Sequence, residues 1–448
     1  MNPANPRRAA VELLSRIDTE GTYSNLGIQE ALGAAPYPAA DRRLLTRLVY
    51  GVLENRLYID ALLQSVSKTP PDKMKPWVRN ALRIGIYQLF WMERVPASAA
   101  VNESVKLVKL RYGSLSSFAN GVLRSLQRQG SELEAAQGTD AHGLSLRYSH
   151  PLWLVERWLA RFGAEMTVRI LAADNRPAAL TLRVNPLKTT TDKLIALLAA
   201  QGVRTERSPY LEEALQVTEL GDRELPELTP FKDGLFSIQD VSSMLVGRAV
   251  APKAGDRVLD LCAAPGGKTA HLAELMGDRG VVVARDIHPH KVKLIEETAE
   301  RLGLRSIEAA QGDAALPDAA WTGAFDHVLL DAPCSGTGII RKKPEIRYNR
   351  SQEDVRTLAT LQFALLERAA PCVKNHGQLI YSTCTMEYEE NEGVLQAFLS
   401  RHKEFRLVDI NGRMPEALRG PEPQVRIFPG DNGLDGFFIA VMRKTASE

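Results

Sequence analysis

Only four cysteines occur in 448 residues, at 262, 334, 372 and 384, and no two are spaced as C-x-x-C. That scarcity excludes a disulfide-stapled fold and a cysteine-built zinc site, so reduced thiols and no metal are expected. No segment approaches the roughly 20 apolar residues that span a bilayer. The start, Met1-Asn2-Pro3-Ala4-Asn5-Pro6-Arg7-Arg8, has no apolar stretch of a signal peptide. A cytoplasmic protein with no membrane partner is expected. A G-x-G-x-x-G pattern is missing as well, which argues against a nicotinamide cofactor. No internal repeat or long low-complexity tract occurs, and nothing points beyond a monomer.

What is present is an ordinary globular composition, 44% hydrophobic and 25% charged, in a chain long enough for about three domains. The net charge of +2 hides an asymmetry. Residues 1–130 carry 18 Lys and Arg against 10 Asp and Glu, and the remainder carries 38 against 44. A basic module joined to a mildly acidic one suggests an anionic partner held by the first part.

From Ala9 to about Gln129 apolar residues recur at three and four, as in Val11, Leu14 and Ile17, in Leu44, Leu45, Leu48, Val49 and Val52, in Leu82, Ile86, Leu89 and Phe90, and in Val101, Val105, Val108 and Leu110. Residues 1–130 therefore read as an all-helical domain, broken at Pro36–Pro38, Pro70-Pro71 and Pro96. Residues 131–145, polar and rich in small side chains, read as a linker. Residues 146–235 mix a Trp-containing helix, a strand near Ala179–Val184 and a helix near 191–200, a small α+β domain. Residues 236–448 alternate strand-like and helix-like stretches, with strands at Arg257–Leu261, Gly280–Arg285, Ser306–Ala310, Asp326–Leu330, Gly377–Ser382 and Gly436–Arg443, and helices near 268–276, 289–302, 352–371 and 389–400. This alternation predicts a multidomain protein ending in an α/β, Rossmann-like domain whose ligand sits at the carboxyl edge of a mostly parallel sheet.

Three features converge on that edge. After the first of these strands comes Cys262-Ala263-Ala264-Pro265-Gly266-Gly267-Lys268-Thr269, whose small residues let the backbone approach a ligand at a helix amino terminus. It nearly reads as a P-loop, but Cys262 replaces the first glycine and Pro265 stiffens the turn, which argues against ATP or GTP hydrolysis. Asp286 ends the second strand, where a carboxylate can accept both hydroxyls of a ribose. Asp313 follows the third and can accept from an adenine amino group. An adenosyl cofactor with an amino-acid tail, S-adenosylmethionine, fits this set. Two cysteine motifs, Asp331-Ala332-Pro333-Cys334 and Ser382-Thr383-Cys384-Thr385, follow two further strands.

Asp331–Gly338, Tyr381–Thr385 and the loop at 259–269 closely resemble the RNA cytosine-5 methyltransferase (NOP/NSUN) family. So do Phe236–Asp240, Arg341–Glu345 and Asp435–Phe438. Ala99–Val105 and Phe118–Arg124 resemble the RNA-binding NusB fold, and Leu182–Pro186 a small RRM-like domain. This layout is similar to the bacterial branch that acts on 16S ribosomal RNA, of the Sun/Fmu type. The resemblance implies Cys384 as nucleophile toward carbon 6 of cytosine, Cys334 as the thiol that assists elimination, and Asp331 as a partner for the base that also borders the cofactor. It also implies that Cys262, Ala263, Ala264, Pro265, Gly266, Gly267, Lys268, Asp286 and Asp313 hold S-adenosylmethionine. Lys268 is expected near the methionine carboxylate or the entrance, Arg341–Arg350 near phosphates flanking the target base, and Cys372 in the core. A non-catalytic RNA-binding protein and a transfer RNA substrate are the competing readings.

Overall fold

The computed structural model describes residues 5–221, 223–316, 318–430 and 433–446, so the first four residues of the chain lie outside it. The chain divides into two compact units. One holds the residues up to Pro177 together with Ile340–Arg350, and the other holds Ala178–Ile339 together with the chain from Ser351 onward.

The first unit is helical. Asn5 caps the helix Pro6–Glu20 by accepting from the Arg7 and Arg8 amides at 3.0 Å, and Gly21 ends it at φ 68°. Pro38 and Pro96 stand immediately before the helices Ala39–Glu54 and Ala97–Arg111, where a proline ring costs no hydrogen bond. The expected apolar faces are buried, among them Val11, Leu14, Ile17, Leu45, Leu48, Val49, Val52, Leu82, Ile86, Val101 and Val108. Leu110 falls outside that face and is 37% exposed. Within the core, Arg83 bonds both Asp18 and Asp60 at 2.7–2.8 Å. Burial opposes the charge on Asp18, but Arg83, Arg56 and Arg79 outweigh it and hold its carboxyl below the ordinary range.

Residues 131–145 are folded onto the first unit rather than loose. Glu134–Gln137 makes a tight turn, the Tyr58 hydroxyl donates to the Ser131 carbonyl at 2.7 Å, and Arg147 donates to the Ala136 carbonyl at 2.9 Å. The helix Leu152–Asp174 also lies in this compact unit. So does Ile340–Arg350, and this corrects part of the phosphate-binding expectation. Arg347 is 1% exposed and donates to the carbonyls of Glu54 at 2.9 Å and Asp174 at 3.0 Å and to Asn175 Oδ1 at 2.6 Å. Glu345, also buried, accepts from the amide and hydroxyl of Ser24 at 3.1 and 2.7 Å. A basic run can face solvent or fill a socket of carbonyls, and composition alone does not separate the two.

The second unit contains two sheets. The small one comprises β1 (Leu180–Val184), β2 (Arg204–Arg207), β3 (Ala214–Glu219) and β4 (Phe236–Ile238), antiparallel in the order β2-β3-β1-β4. The helix Thr191–Ala199 closes its core over Leu182, Val184 and Phe236. The large sheet comprises β5 (Arg257–Asp260), β6 (Val281–Asp286), β7 (Ile307–Gln311), β8 (Phe325–Asp331), β9 (Val373–Thr383), β10 (Phe405–Val408), β11 (Val425–Ile427) and β12 (Phe437–Lys444). Its order is β10-β12-β9-β8-β5-β6-β7, with β11 paired to β12, and β5 to β9 run parallel. Strands buried on both faces read as continuous apolar runs, which is why β5, β6, β8 and β9 were expected. The edge strands β10 and β11, four and three residues long, carry too little pattern to be seen. The helix expected at 389–400 begins as a π-helical turn, Glu389–Gly393, and continues as an α-helix over Val394–Arg401.

Replacing Arg347 by Met keeps the apolar stem and removes the guanidinium. The carbonyl socket then loses its donors, and the loss should be about 2–4 kcal/mol. A thermal melt should show a midpoint lower by about 5–15 °C, against no change for the exposed Arg128→Met.

Candidate active site

Parallel pairing brings the strand ends into one row. Asp331 at the end of β8 is in register with Ser382 on β9, and Asp286 at the end of β6 with Gln311 on β7. The Ser382 hydroxyl donates to Asp331 Oδ1 at 2.7 Å, and Lys268 Nζ to Asp331 Oδ2 at 2.6 Å. Lys268 therefore points at Asp331, with the Phe437 ring 5.3 Å from its ammonium. Burial opposes its charge, but Asp331, Cys384 and Asp260 together raise its pKa. A persistent cation thus stands beside the cysteine loops.

Cys334 and Cys384 lie beyond these strands with their sulfurs 3.3 Å apart, each half-buried. The contact with Cys384, then burial, then the nearby Glu390 charge push the Cys334 thiol well above its ordinary range. Cys334 thus keeps its proton while in contact with the second sulfur. The loops that carry them approach closely. The Gly338 amide donates to the Cys384 carbonyl at 2.9 Å, and the Gly436 amide to the Gly338 carbonyl at 2.8 Å. A Cβ at Gly338 would collide with the Gly436 and Cys384 carbonyls.

Backbone hydrogen bonds and a close approach shape the glycine loop. Gly266 has φ 97°, and an added Cβ would stand 3.1 Å from the backbone of Ile295. The Gly266 amide donates to the Ala263 carbonyl and the Ala263 amide to the Arg285 carbonyl, both at 2.8 Å, and the Ala264–Pro265 bond is cis. Thr269 donates to Asp260 Oδ2 at 2.7 Å. Burial raises the Asp260 carboxyl to about 7. The Cys262 thiol is pushed up by burial and by Asp260, which suits a packing residue. Asp286, 7% exposed, accepts from the His288 amide at 3.0 Å. Asp313 is exposed, and its Oδ1 accepts from the Ala315 amide at 2.9 Å, closing its own turn. Cys372 lies in the core, 2% exposed. Among the described residues no cluster of His, Cys, Asp and Glu is disposed to hold a metal, and no helix is long and apolar enough to cross a membrane.

One supporting residue was missed in the sequence. Arg183 on β1, fully buried, forks onto both carboxylate oxygens of Glu274 at 2.8 and 2.9 Å and donates to the Gly267 carbonyl at 2.8 Å and to Gln239. The small sheet thereby latches the glycine loop from behind. The signal was an arginine within the apolar strand Leu182-Arg183-Val184.

Residues 248–443 match the family described as 16S rRNA methyltransferase RsmB/F, residues 4–128 the NusB family, and residues 150–222 the ferredoxin-like domain of the RsmF/B-like methyltransferases. A relative in Bacillus subtilis, a probable ribosomal RNA small subunit methyltransferase B, is 40% identical over 99% of this chain and 100% of its own. The chain belongs to the 16S rRNA methyltransferase RsmB/F family. The ribosomal RNA small subunit methyltransferase B of Vibrio cholerae is 36% identical over 98% of both chains. The crystal structure of PH0851 superposes with a TM-score of 0.82 at 29% identity, covering 99% of each chain. A methyltransferase homolog from Pyrococcus horikoshii gives 0.59 at 31% identity over 68% of this chain and 98% of its own. The expected class holds, and this member of the family is an S-adenosylmethionine-dependent RNA methyltransferase.

The latch behind the glycine loop can be tested by a double-mutant cycle. Arg183→Leu leaves Glu274 a buried, uncompensated carboxylate and should cost about 3–5 kcal/mol in denaturant unfolding. Arg183→Leu combined with Glu274→Leu should lose clearly less than the sum of the single changes.

Proposed function

We propose that this enzyme methylates carbon 5 of a specific cytosine in 16S ribosomal RNA through a transient covalent bond between Cys384 Sγ and carbon 6. The observation that carries this reading is the 3.3 Å approach of two thiols beside a lysine–aspartate pair at the ends of adjacent parallel strands. Ring methylation at an unactivated carbon needs a nucleophile of this kind. The names of the relatives support ribosomal RNA of the small subunit over transfer RNA.

Cys384 adds at carbon 6 as thiolate, and the displaced electron pair makes carbon 5 nucleophilic. Bound S-adenosylmethionine supplies the electrophilic methyl group. The carbon 5 proton then passes to water as the ring double bond re-forms, and the carbon–sulfur bond breaks with its electrons returning to Cys384, beside which the Cys334 thiol stands as hydrogen-bond donor. Cys334 assists that elimination. Asp331, whose oxygens each keep a free lone-pair site after binding Ser382 and Lys268, accepts from the amino group of the base as charge develops there. Lys268 steadies Asp331 and favours the negative charge on Cys384.

The residues present fit the cofactor. Gly266, which has no room for a side chain against Ile295, turns the chain after Ala263, Ala264 and Pro265 into the helix Gly267–Leu275, whose free first-turn amides suit a carboxylate. Asp286 is assigned to the ribose and Asp313 to the adenine amino group, with Cys262 contributing through its backbone.

Cys384→Ser should abolish methyl transfer. Cys334→Ala should instead leave the protein joined to RNA, visible as a retarded band on a denaturing gel. An adduct that forms without Cys384 and needs Cys334 would reverse the two roles. Bisulfite sequencing of total RNA from a deletion strain identifies the nucleotide, and an unchanged 16S ribosomal RNA pattern would remove it as substrate.

A further inference from the structure

The two sulfurs sit on loops, one residue or more beyond the strands that aim them, and strand pairing alone does not hold two loops at van der Waals distance. The restraint comes from the turn that follows. Inserting one residue into a helical turn, as in the π-helical Glu389–Gly393, rotates successive side chains toward the same interior. Glu390 and Asn391 are both fully buried there.

Glu390 Oε2 accepts from the Ser335 amide at 2.8 Å and from Gln362 Nε2 at 2.9 Å. Its Oε1 accepts from the Thr385 hydroxyl at 3.1 Å and from the Ser335 hydroxyl. Gln362, on the helix Gln352–Ala369, also donates to the Pro333 carbonyl at 2.9 Å. Asn391 Oδ1 accepts from the Thr383 hydroxyl at 2.6 Å, and its Nδ2 donates to the Thr385 carbonyl at 2.9 Å. Every chain neighbour of both thiols, Pro333 and Ser335 around Cys334 and Thr383 and Thr385 around Cys384, is thus tied to one buried turn or to the glutamine it binds. Burial pushes the Glu390 carboxyl upward against its four donors. A carboxylate placed so expensively for stability alone is unusual, since an apolar residue would fill the space at less cost.

We propose that Glu390 and Asn391 are positioning residues that divide the labour of the two thiols, Glu390 holding Cys334 for release of the covalent RNA adduct and Asn391 holding Cys384 for its formation. The bonds apportion the roles. Glu390 makes two bonds to Ser335 and a third to Gln362, which holds Pro333, against one to Thr385, whereas both bonds of Asn391 go to the Cys384 loop. This rests on the covalent mechanism proposed above.

The test follows a single turnover on a ribosomal RNA fragment, separating adduct formed from adduct resolved on denaturing gels, with S-adenosylmethionine affinity by calorimetry as a control. For Glu390→Ala, adduct should form near the wild-type rate and resolve about 10- to 100-fold more slowly, the scale of a misplacement of about 1 Å. Glu390→Gln, which keeps the shape and one acceptor, should restore part of that loss, and it is read in place of the alanine variant if the latter does not fold. For Asn391→Ala, formation itself should slow by about the same factor without accumulation. A role in folding alone would lower both steps in proportion to the folded fraction in both variants, and that result, or unaltered kinetics, overturns the proposal. If Cys334→Ala yields no adduct in the same assay, the covalent mechanism fails instead.

Discussion

Parallel pairing of β8 with β9, Asp331 opposite Ser382, is the constraint from which the site follows. Adjacent strands lie about 4.8 Å apart, so two residues 51 positions distant arrive at the sheet edge side by side. The Ser382 hydroxyl on the Asp331 carboxylate fixes the register at its last step, since a slip of one residue would turn one of the pair to the opposite face. With that alignment set, Lys268 reaches Asp331 from the neighbouring strand's loop, and the glycine cradle comes with it. A shift there would move the lysine, the aspartate and both sulfurs together.

Around this edge the enzyme uses buried ionic groups as latches rather than as sources of stability. Arg183 ties the small sheet to the glycine loop, and Glu390 ties the two cysteine loops to a turn. Such groups lose solvation when buried and regain it only with well-aimed partners. Apolar contacts would tolerate sliding, whereas a forked guanidinium or a carboxylate with four donors has one satisfactory arrangement. That intolerance suits a centre where fractions of an ångström matter.

Much of this was legible in the sequence, because apolar runs with motifs at their ends mark strands and their ligand-facing turns. The five parallel strands, the glycine loop and the two cysteine motifs were all found in this way, as was the helical character of the first unit. What escaped detection has a common cause. Arg183, Glu390 and Arg347 act through partners 28 to 293 positions away or through a local π turn, and no periodicity encodes such pairing. The basic stretch 341–350 shows the converse error, because charge implied solvent or phosphate where the fold supplies carbonyls to Arg347. The short edge strands were missed because three or four residues cannot establish alternation.

The capture of Ile340–Arg350 by the first unit has a consequence for how the protein is made. Between Pro177 and that segment lie 162 residues of the other unit. At about 5–20 residues per second a ribosome needs roughly 10–30 s to cover them. For that interval the nascent helical unit waits with an unfilled socket at Glu54, Asp174 and Asn175, so its final consolidation is post-dated to the emergence of a strip of chain belonging, by sequence, to the methyl-transferring half.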